Sequence, residues 1–308
     1  MEKDALYQAA WQLLTQCNGA HSAGGRPVGN TFREGKFSTS LPSVRLFYQT
    51  QVQQKEAGVY APSLVFIFSG AKHGELGRWR FTYDADNYLL LTSTYPLQCK
   101  VDASAAVPLL GIQIDLDRTM VSQLLHDIGE TDKASQASNR GRLSGIECCP
   151  VTPLIRRHVG ELLLTLQSPV EARLFGHERV RAAVYALMQS EGRLHLQHWS
   201  QMDGQFAHFQ KAVAYIQANY QNAIDIETLS EQSGLGAATL NRVFKRYASD
   251  SPIQYLKKVR LNVARTQIIQ SGASVQTAAY SVGYESPSQF SREFKRYFGY
   301  PPKQSRAA

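Results

Sequence analysis

Two six-residue runs, Arg242-Val-Phe-Lys-Arg-Tyr247 and Arg292-Glu-Phe-Lys-Arg-Tyr297, share five residues at an offset of 50 positions. Each is followed by a proline at the same distance, Pro252 and Pro302. Each run sets three cations within five residues around a Phe of the kind that belongs in a core. That arrangement suits a helix that packs on one side and meets phosphate on the other. Two copies are too few for a solenoid, so the pattern is a small helical unit present twice.

The outward stripe of each helix carries the chemistry. In the first copy it holds Ala238, Thr239, Asn241, Arg242, Lys245 and Arg246; in the second, Ser288, Gln289, Ser291, Arg292, Lys295 and Arg296. A helix docked in the major groove reads base edges with residues toward its N-terminal end. An Arg there can bridge O6 and N7 of guanine, and an Asn can pair with N6 and N7 of adenine. The later cations are placed to hold phosphate, which gives affinity without sequence information.

Positioning such helices takes a particular frame. In the first unit, Asp225 or Thr228 caps a short helix carrying Ile226 and Leu229, and Ser233-Gly-Leu-Gly236 breaks it. Glycine tolerates the positive φ of a tight interhelical turn. A second helix over 237–248 buries Leu240, Val243, Phe244 and Tyr247, at spacing i, i+3, i+4, i+7. In the second unit, Ser274 caps a helix with Val275, Ala278, Ala279 and Val282. Gly283 turns, and 288–298 turns Phe290, Phe294 and Phe298 inward. Each unit is a helix-turn-helix. Between them Pro252 to Gln270 reads as one connector helix, with Tyr255, Leu256, Val259, Val263, Ile268 and Ile269 on its apolar face. At ~1.5 Å per residue it spans roughly 28 Å, against a separation of about 34 Å between successive major-groove faces.

Residues 207–306 resemble the AraC/XylS-type DNA-binding domain. The matching residues are Leu240-x-Arg242-x-Phe244-Lys245, Pro252-x-x-Tyr255, Arg260-x-x-x-Ala264 and Ala279-x-x-Val282-Gly283-Tyr284. They continue with Phe290-Ser291-Arg292-x-Phe294-Lys295, Phe298-Gly299-x-Pro301-Pro302 and Arg306. Tyr284 stands where Phe is commoner. Ala238 occupies a position where many relatives carry a larger base-contacting side chain, so the first helix is expected to read fewer bases.

Charge agrees with this division. Residues 201–308 hold 13 basic and 7 acidic side chains, against 20 and 18 in residues 1–200, so the positive excess is concentrated where a polyanion would bind. No stretch approaches the ~18–20 apolar residues of a membrane helix, and the acidic start Met1-Glu-Lys-Asp lacks the marks of a signal peptide. Cys17, Cys99, Cys148 and Cys149 have no metal-ligand spacing and read as free thiols of a reducing cytoplasm.

The N-terminal half has a different grammar. A short helix over 4–16 precedes a Gly/Ser-rich loop with Gly19, Gly24, Gly25 and Gly29, which lacks the Lys-Ser/Thr ending of a phosphate loop and reads as a flexible arm. Strand-like runs follow at 44–48, 64–68, 78–83, 88–92, 98–101 and 109–116, the spacing of a sandwich or barrel. This region resembles the N-terminal cupin-like domain of a subgroup of AraC-type regulators. The resemblance rests on Pro62-Ser63-Leu64, Gly70-x-Lys72, Gly77, Tyr83, Tyr88-Leu89, Leu97, Ala103-Ser104, Pro108 and Leu116-Asp117. It implies a small jelly roll that senses a small molecule or mediates assembly. Metal-dependent cupins use a His-x-His pair, a carboxylate and a later His. Here His73 stands alone with Glu75, and no further His follows before His126. No metal, no cofactor and no enzyme activity are expected.

Pro153 opens a helix whose stripe, Ile155, Val159, Leu162, Leu163 and Leu166, packs either on its own barrel or on a second copy of itself. The second is adopted as a dimerisation surface, since two-fold dimers are the default oligomer. A second helix spans 175–189, and 191–205 reads as a polar linker. The expected plan is multidomain: helix and arm over 1–37, a cupin-like β-barrel over 38–150, and a helical dimerisation region over 151–190. The linker over 191–205 then leads to an all-α domain with two helix-turn-helix motifs and a connector over 206–308. The expected protein is a cytoplasmic, homodimeric, sequence-specific regulator of transcription. Its expected partners are double-stranded DNA and a small-molecule effector, with RNA polymerase as a further candidate. The alternative is a DNA-binding protein whose barrel only dimerises.

Overall fold

A computed structural model of the chain describes residues 2–20, 32–77, 79–128, 145–201 and 204–306. The Gly/Ser-rich loop around Gly24, Gly25 and Gly29 and the strand start at 78 lie outside the described residues. Helix α1 (Lys3–Ala20) leads into ten strands. These are β1 (Gly35–Ser38), β2 (Val44–Gln49), β3 (Gln53–Tyr60), β4 (Ser63–Ser69), β5 (Ala71–Leu76), β6 (Trp79–Tyr83), β7 (Asn87–Leu91), β8 (Tyr95–Asp102), β9 (Leu109–Asp115) and β10 (Ile146–Pro150). Helix α2 (Arg118–Asp127) precedes β10 in the chain. Sheet order is β1-β2-β9-β4-β7-β10 in the larger sheet and β3-β8-β5-β6 in the smaller, and every pairing is antiparallel. The two sheets face each other as the cupin-like barrel, an open form.

Strand alternation separates the side chains that sequence alone left unsorted. Along β5, buried Lys72 and Gly74 alternate with His73 and Glu75. Lys72 is 5% exposed and sets its ammonium 5.2 Å from the centre of the Phe47 ring, across on the larger sheet. His73 turns the other way and bonds Thr82 Oγ1 at 2.9 Å. Phe81 and Tyr83 share the face of Lys72 and Gly74. Phe66 lies with Leu6 and Val159 on the opposite side of the larger sheet, its ring centre 5.3 Å from that of Tyr88 and tilted to it by 34°.

That opposite side is covered by α1, α3 (Pro153–Leu166) and α4 (Pro169–Met188). Thr152 and Ser168 cap α3 and α4, each with Pro in the first turn. The proposed dimer stripe is a correction here. Ile155, Val159, Leu162, Leu163 and Leu166 are all buried within this one chain, on the side of α3 that packs against α1 and α4. The amphipathic pattern is real, and its partner is the chain's own core. The exposed apolar side chains of the α3–α4 hairpin are different ones: Leu164, Val170, Leu174 and Phe175, with Tyr185 further along α4.

The stretch read as a polar linker also differs. It folds as α5 (Arg193–Gln201), with Leu196 and Trp199 buried. Two apolar side chains suffice to dock a short helix whose composition is otherwise polar. The C-terminal domain then follows as α6 (Gly204–Asn219), α7 (Ile226–Ser233), α8 (Ala237–Ala248), α9 (Pro252–Gln270), α10 (Val275–Ser281) and α11 (Pro287–Phe298), ending in a 3-10 turn, Pro302–Arg306. Within α9, Ile269 is exposed, and Leu261 and Ala264 take part in the core instead.

All four cysteines are free. Burial pushes the Cys148 thiol up to about 12 and the Cys149 thiol up to about 11, so both stay protonated and weakly nucleophilic. No described helix is long and apolar enough to cross a membrane.

Candidate nucleic-acid interface

The first unit is α7, a turn, and α8. Asp225 caps α7, its carboxylate accepting from the Thr228 amide at 2.8 Å. Gly234 ends α7 at φ +72°, a left-handed conformation that glycine adopts without strain. Leu240, Val243, Phe244 and Tyr247 of α8 are buried. The second unit repeats the design with α10 and α11. Ser274 caps α10, Gly283 turns at φ +84°, and Ser286 caps α11 by accepting from the Gln289 amide at 3.3 Å. Helix α11 begins at Pro287, one residue earlier than its sequence suggests, and α8 begins behind Gly236 with no side-chain cap.

The outward residues lie where the spacing puts them. Ala238, Arg242, Lys245 and Arg246 are exposed, with Thr239 and Asn241 half-buried beside them. Ser288, Gln289, Arg292, Lys295 and Arg296 are exposed, with Ser291 half-buried. Among the described residues no carboxylate pairs with any of the six cations in these stripes. Lys245, Arg246, Lys295 and Arg296 occupy the last turns of their helices, where cations also complement the helix dipole. Two expected base readers are engaged locally. The Asn241 amide donates to Ala237 O at 3.0 Å, and the Gln289 amide donates to Glu293 Oε1 at 3.3 Å. Both must rotate to meet a base edge.

Glu293 is a site residue that the repeat hides, because the first copy has Val243 in its place. It accepts from Lys257 Nζ of α9 and from the Tyr284 hydroxyl, each at 2.8 Å. Burial acts to raise its carboxyl, and the hydrogen bonds from Lys257, Tyr284 and Gln289 outweigh that, holding it below its ordinary value. It fastens α11 to the connector α9.

The barrel grips the far ends of both α8 and α11. Gln98 Nε2, on β8, donates to Tyr297 O in the last turn of α11 at 2.8 Å. Gly77, in the β5–β6 turn, lies against Ser249 just past α8, so closely that a Cβ there would sit 2.5 Å from the Ser249 Cβ. Between them, Tyr255 of α9 donates to Thr94 O, and Gln210 of α6 donates to Thr92 O. The N-terminal ends of α8 and α11, which would read bases, are left open. Nothing in the sequence marks these contacts, since the Gln98–Tyr297 bond joins residues 199 positions apart.

A family model described as "AraC-type transcriptional regulator N-terminus" matches residues 40–194, about half of the chain. The chain belongs to the AraC-type transcriptional regulators. A second family model, described as "Helix-turn-helix domain", matches residues 229–308 and so spans both helix-turn-helix units. The raffinose operon transcriptional regulatory protein RafR of Pediococcus pentosaceus is 39% identical over 94 residues, covering 30% of this chain and 34% of the relative. The HTH-type transcriptional regulator GbdR of Pseudomonas aeruginosa is 30% identical over 151 residues, covering 49% of this chain and 38% of the relative. The chain thus matches little more than a third of the length of either. Among solved structures, apo ToxT of Vibrio cholerae superposes with a TM-score of 0.57 at 12% identity, over 88% of this chain and 98% of that one. A second ToxT structure, bound to an unsaturated fatty acid, gives 0.55 at 10% identity, over 84% of this chain and 94% of that one. At such identity the likeness is one of fold. It extends over both halves, so the joining of a barrel to a double helix-turn-helix is shared.

Proposed function

We propose that this AraC-type regulator binds double-stranded DNA sequence-specifically through α8 and α11, one in each of two successive major grooves. The observation that carries the reading is the pair of exposed basic stripes whose reading ends are open and whose far ends are held. Arg242 and Arg292 read bases; Lys245, Arg246, Lys295 and Arg296 hold phosphate; Asn241, Gln289, Ser288 and Ser291 add polar contacts. Ala238 and Thr239 offer little reach, so α11 carries more of the sequence preference. The protein acts in the cytoplasm, without catalysis, and RNA polymerase is its candidate downstream partner.

Arg292→Ala is expected to cost about 1–3 kcal/mol on the selected site and to relax preference at one or two base pairs. Lys245→Ala is expected to weaken all sequences alike and to lower the salt slope by about one. Titrations against selected and scrambled duplexes at several salt concentrations check both. An Arg292→Ala variant that lost equally on both duplexes would remove base reading by α11.

A homodimer is part of the proposal, through the exposed Leu164, Val170, Leu174 and Phe175 of the α3–α4 hairpin and not through the buried stripe. Phe175 lies one turn from Arg179, and Leu164 one turn from Glu161, its ion-pair partner at 3.0 Å, so both flank one charged pair. Control by a small molecule in the barrel is supported by the likeness of fold to ToxT, one structure of which is bound to an unsaturated fatty acid. A specific observation favours the alternative, in which the barrel only assembles. A Cβ at Gly74 would lie 2.2 Å from the Phe81 ring, and one at Gly111 would lie 2.4 Å from the Phe47 ring, so rings fill the space those glycines leave. Thermal-shift measurement of the full chain against metabolites separates the two.

A further inference from the structure

The two helix-turn-helix units touch DNA productively only if their spacing is held, because successive major-groove faces are about 34 Å apart. Much of the space between them is an open cleft of about 600 Å³, lined in part by Gln221, Asp225, Tyr280 and Gln289. An open polar cleft offers little resistance to bending. One side chain closes its floor. From the middle of α9, Arg260 sends Nε to Tyr220 O at 2.6 Å and Nη2 to Asn222 O at 2.7 Å, both in the segment leading into α7. Its Nη1 donates to Gly283 O at 3.1 Å, in the turn between α10 and α11. All three acceptors are main-chain carbonyls, two belonging to the first unit and one to the second. The guanidinium lies 6.0 Å from the centre of the Tyr284 ring. The surfaces it joins are already in contact: a Cβ at Gly283 would sit 2.5 Å from Gln221 O.

We propose that Arg260 is a positioning residue that sets the spacing at which α8 and α11 meet DNA. The inference rests on the reading that both helices contact bases. Only a planar fork with five donors reaches carbonyls on separate edges at once. Three of those donors are spent inside the protein, so Arg260 acts between the units and not chiefly as a phosphate contact. A lysine keeps the charge and the stem but has a single nitrogen, and cannot span the three carbonyls. Gly283 lines the cleft, Asn222 is exposed and Tyr220 is only half-buried, so the freed carbonyls can turn to water and the fold survives the change.

The test is selection of the full chain on a fully randomised duplex library. The wild type is expected to recover two sequence elements at one fixed spacing. Arg260→Lys is expected to recover the same two elements with spacing spread over several base pairs. Its preference for a two-element over a one-element duplex is expected to fall by roughly tenfold, because linked sites gain only when their geometry is held. Simple destabilisation would lower recovery without spreading the spacing. Should Arg260→Lys melt early, Gly283→Ala strains the same junction with the guanidinium intact, and the same spread is expected. A variant that keeps the single wild-type spacing overturns the proposal. So does one that loses one-element binding in step with two-element binding while keeping a native circular-dichroism melt. A wild type that recovers no element at all removes the DNA reading itself, and this inference with it.

Discussion

Leu162→Glu unfolds the N-terminal half; that is the expected result of putting a carboxyl where the structure has none of the space or solvent for it. Leu162 is fully buried in the packing of α3 against α1 and α4. Losing a buried leucine costs about 2–5 kcal/mol in packing. A buried carboxyl without a partner adds about 1–3 kcal/mol even after it takes up a proton. Against a total stability of about 5–15 kcal/mol, little remains. The contrasting variant is Leu174→Glu with Phe175→Glu. Leu174 is 67% exposed and Phe175 53%, so both carboxylates stay in water and the fold is expected to be unchanged. What is expected to change is the mass, from dimer to monomer. Circular-dichroism melts and light scattering on the two variants decide the matter. A folded monomer from Leu162→Glu would restore α3's buried stripe as the dimer seam. A dimer persisting in Leu174→Glu/Phe175→Glu would remove the exposed face.

Phe209→Ala is the second large effect, at about 3–5 kcal/mol for a fully buried ring. Phe209 of α6 has no exposed surface, and its ring centre lies 4.9 Å from Phe244, 5.4 Å from Tyr247 and 6.2 Å from Tyr95. Tyr95 belongs to β8 and Phe244 to α8. One ring therefore joins the barrel, the start of the C-terminal domain and α8. Its loss is expected to split a single denaturant transition into two, the C-terminal domain unfolding first. DNA affinity should fall as well, through a looser α8. Fluorescence and far-ultraviolet circular dichroism recorded through the same urea titration report both. Coincident transitions with a loss below about 1 kcal/mol would mean that the joint does not depend on this ring.

Much of the DNA-binding half is legible in the chain itself. The ends of α8 and α9 fall where Ala237, Ala248, Pro252 and Gln270 suggest, and Asp225 and Ser274 cap the helices expected of them. These features are local. A cap bonds an amide two or three residues away, a turn glycine relieves its own φ, and an i, i+3, i+4, i+7 row of apolar residues needs only the helical period. The exposed cations follow from the same period, since a helix that buries Phe244 or Phe294 must turn Arg242 or Arg292 outward. Strands were harder. Those richest in β-branched and aromatic residues, β2, β4 and β6, stand out. Strand β3 (Gln53–Tyr60) and strand β5 (Ala71–Leu76) are too polar to do so and exist because their neighbours pair with them.

What the tertiary structure alone decided is which partner covers each face. Periodicity says that Ile155, Val159, Leu162, Leu163 and Leu166 share a stripe; it is silent on whether α1 or a second chain lies over it. Alternation says that Lys72 and His73 point opposite ways; only the facing sheet, with Phe47 beneath the ammonium, makes Lys72 the interior one. Leu196 and Trp199 are two apolar residues in a polar run until the surface that buries them exists. Gln98 and Tyr297 have no relation along the chain, and neither do Arg260 and the three carbonyls it gathers. The information in a sequence about its own helices is short-range because helix hydrogen bonds are. Burial and bridging are set by surfaces brought together from distant stretches, and those are chosen by the total packing of the fold.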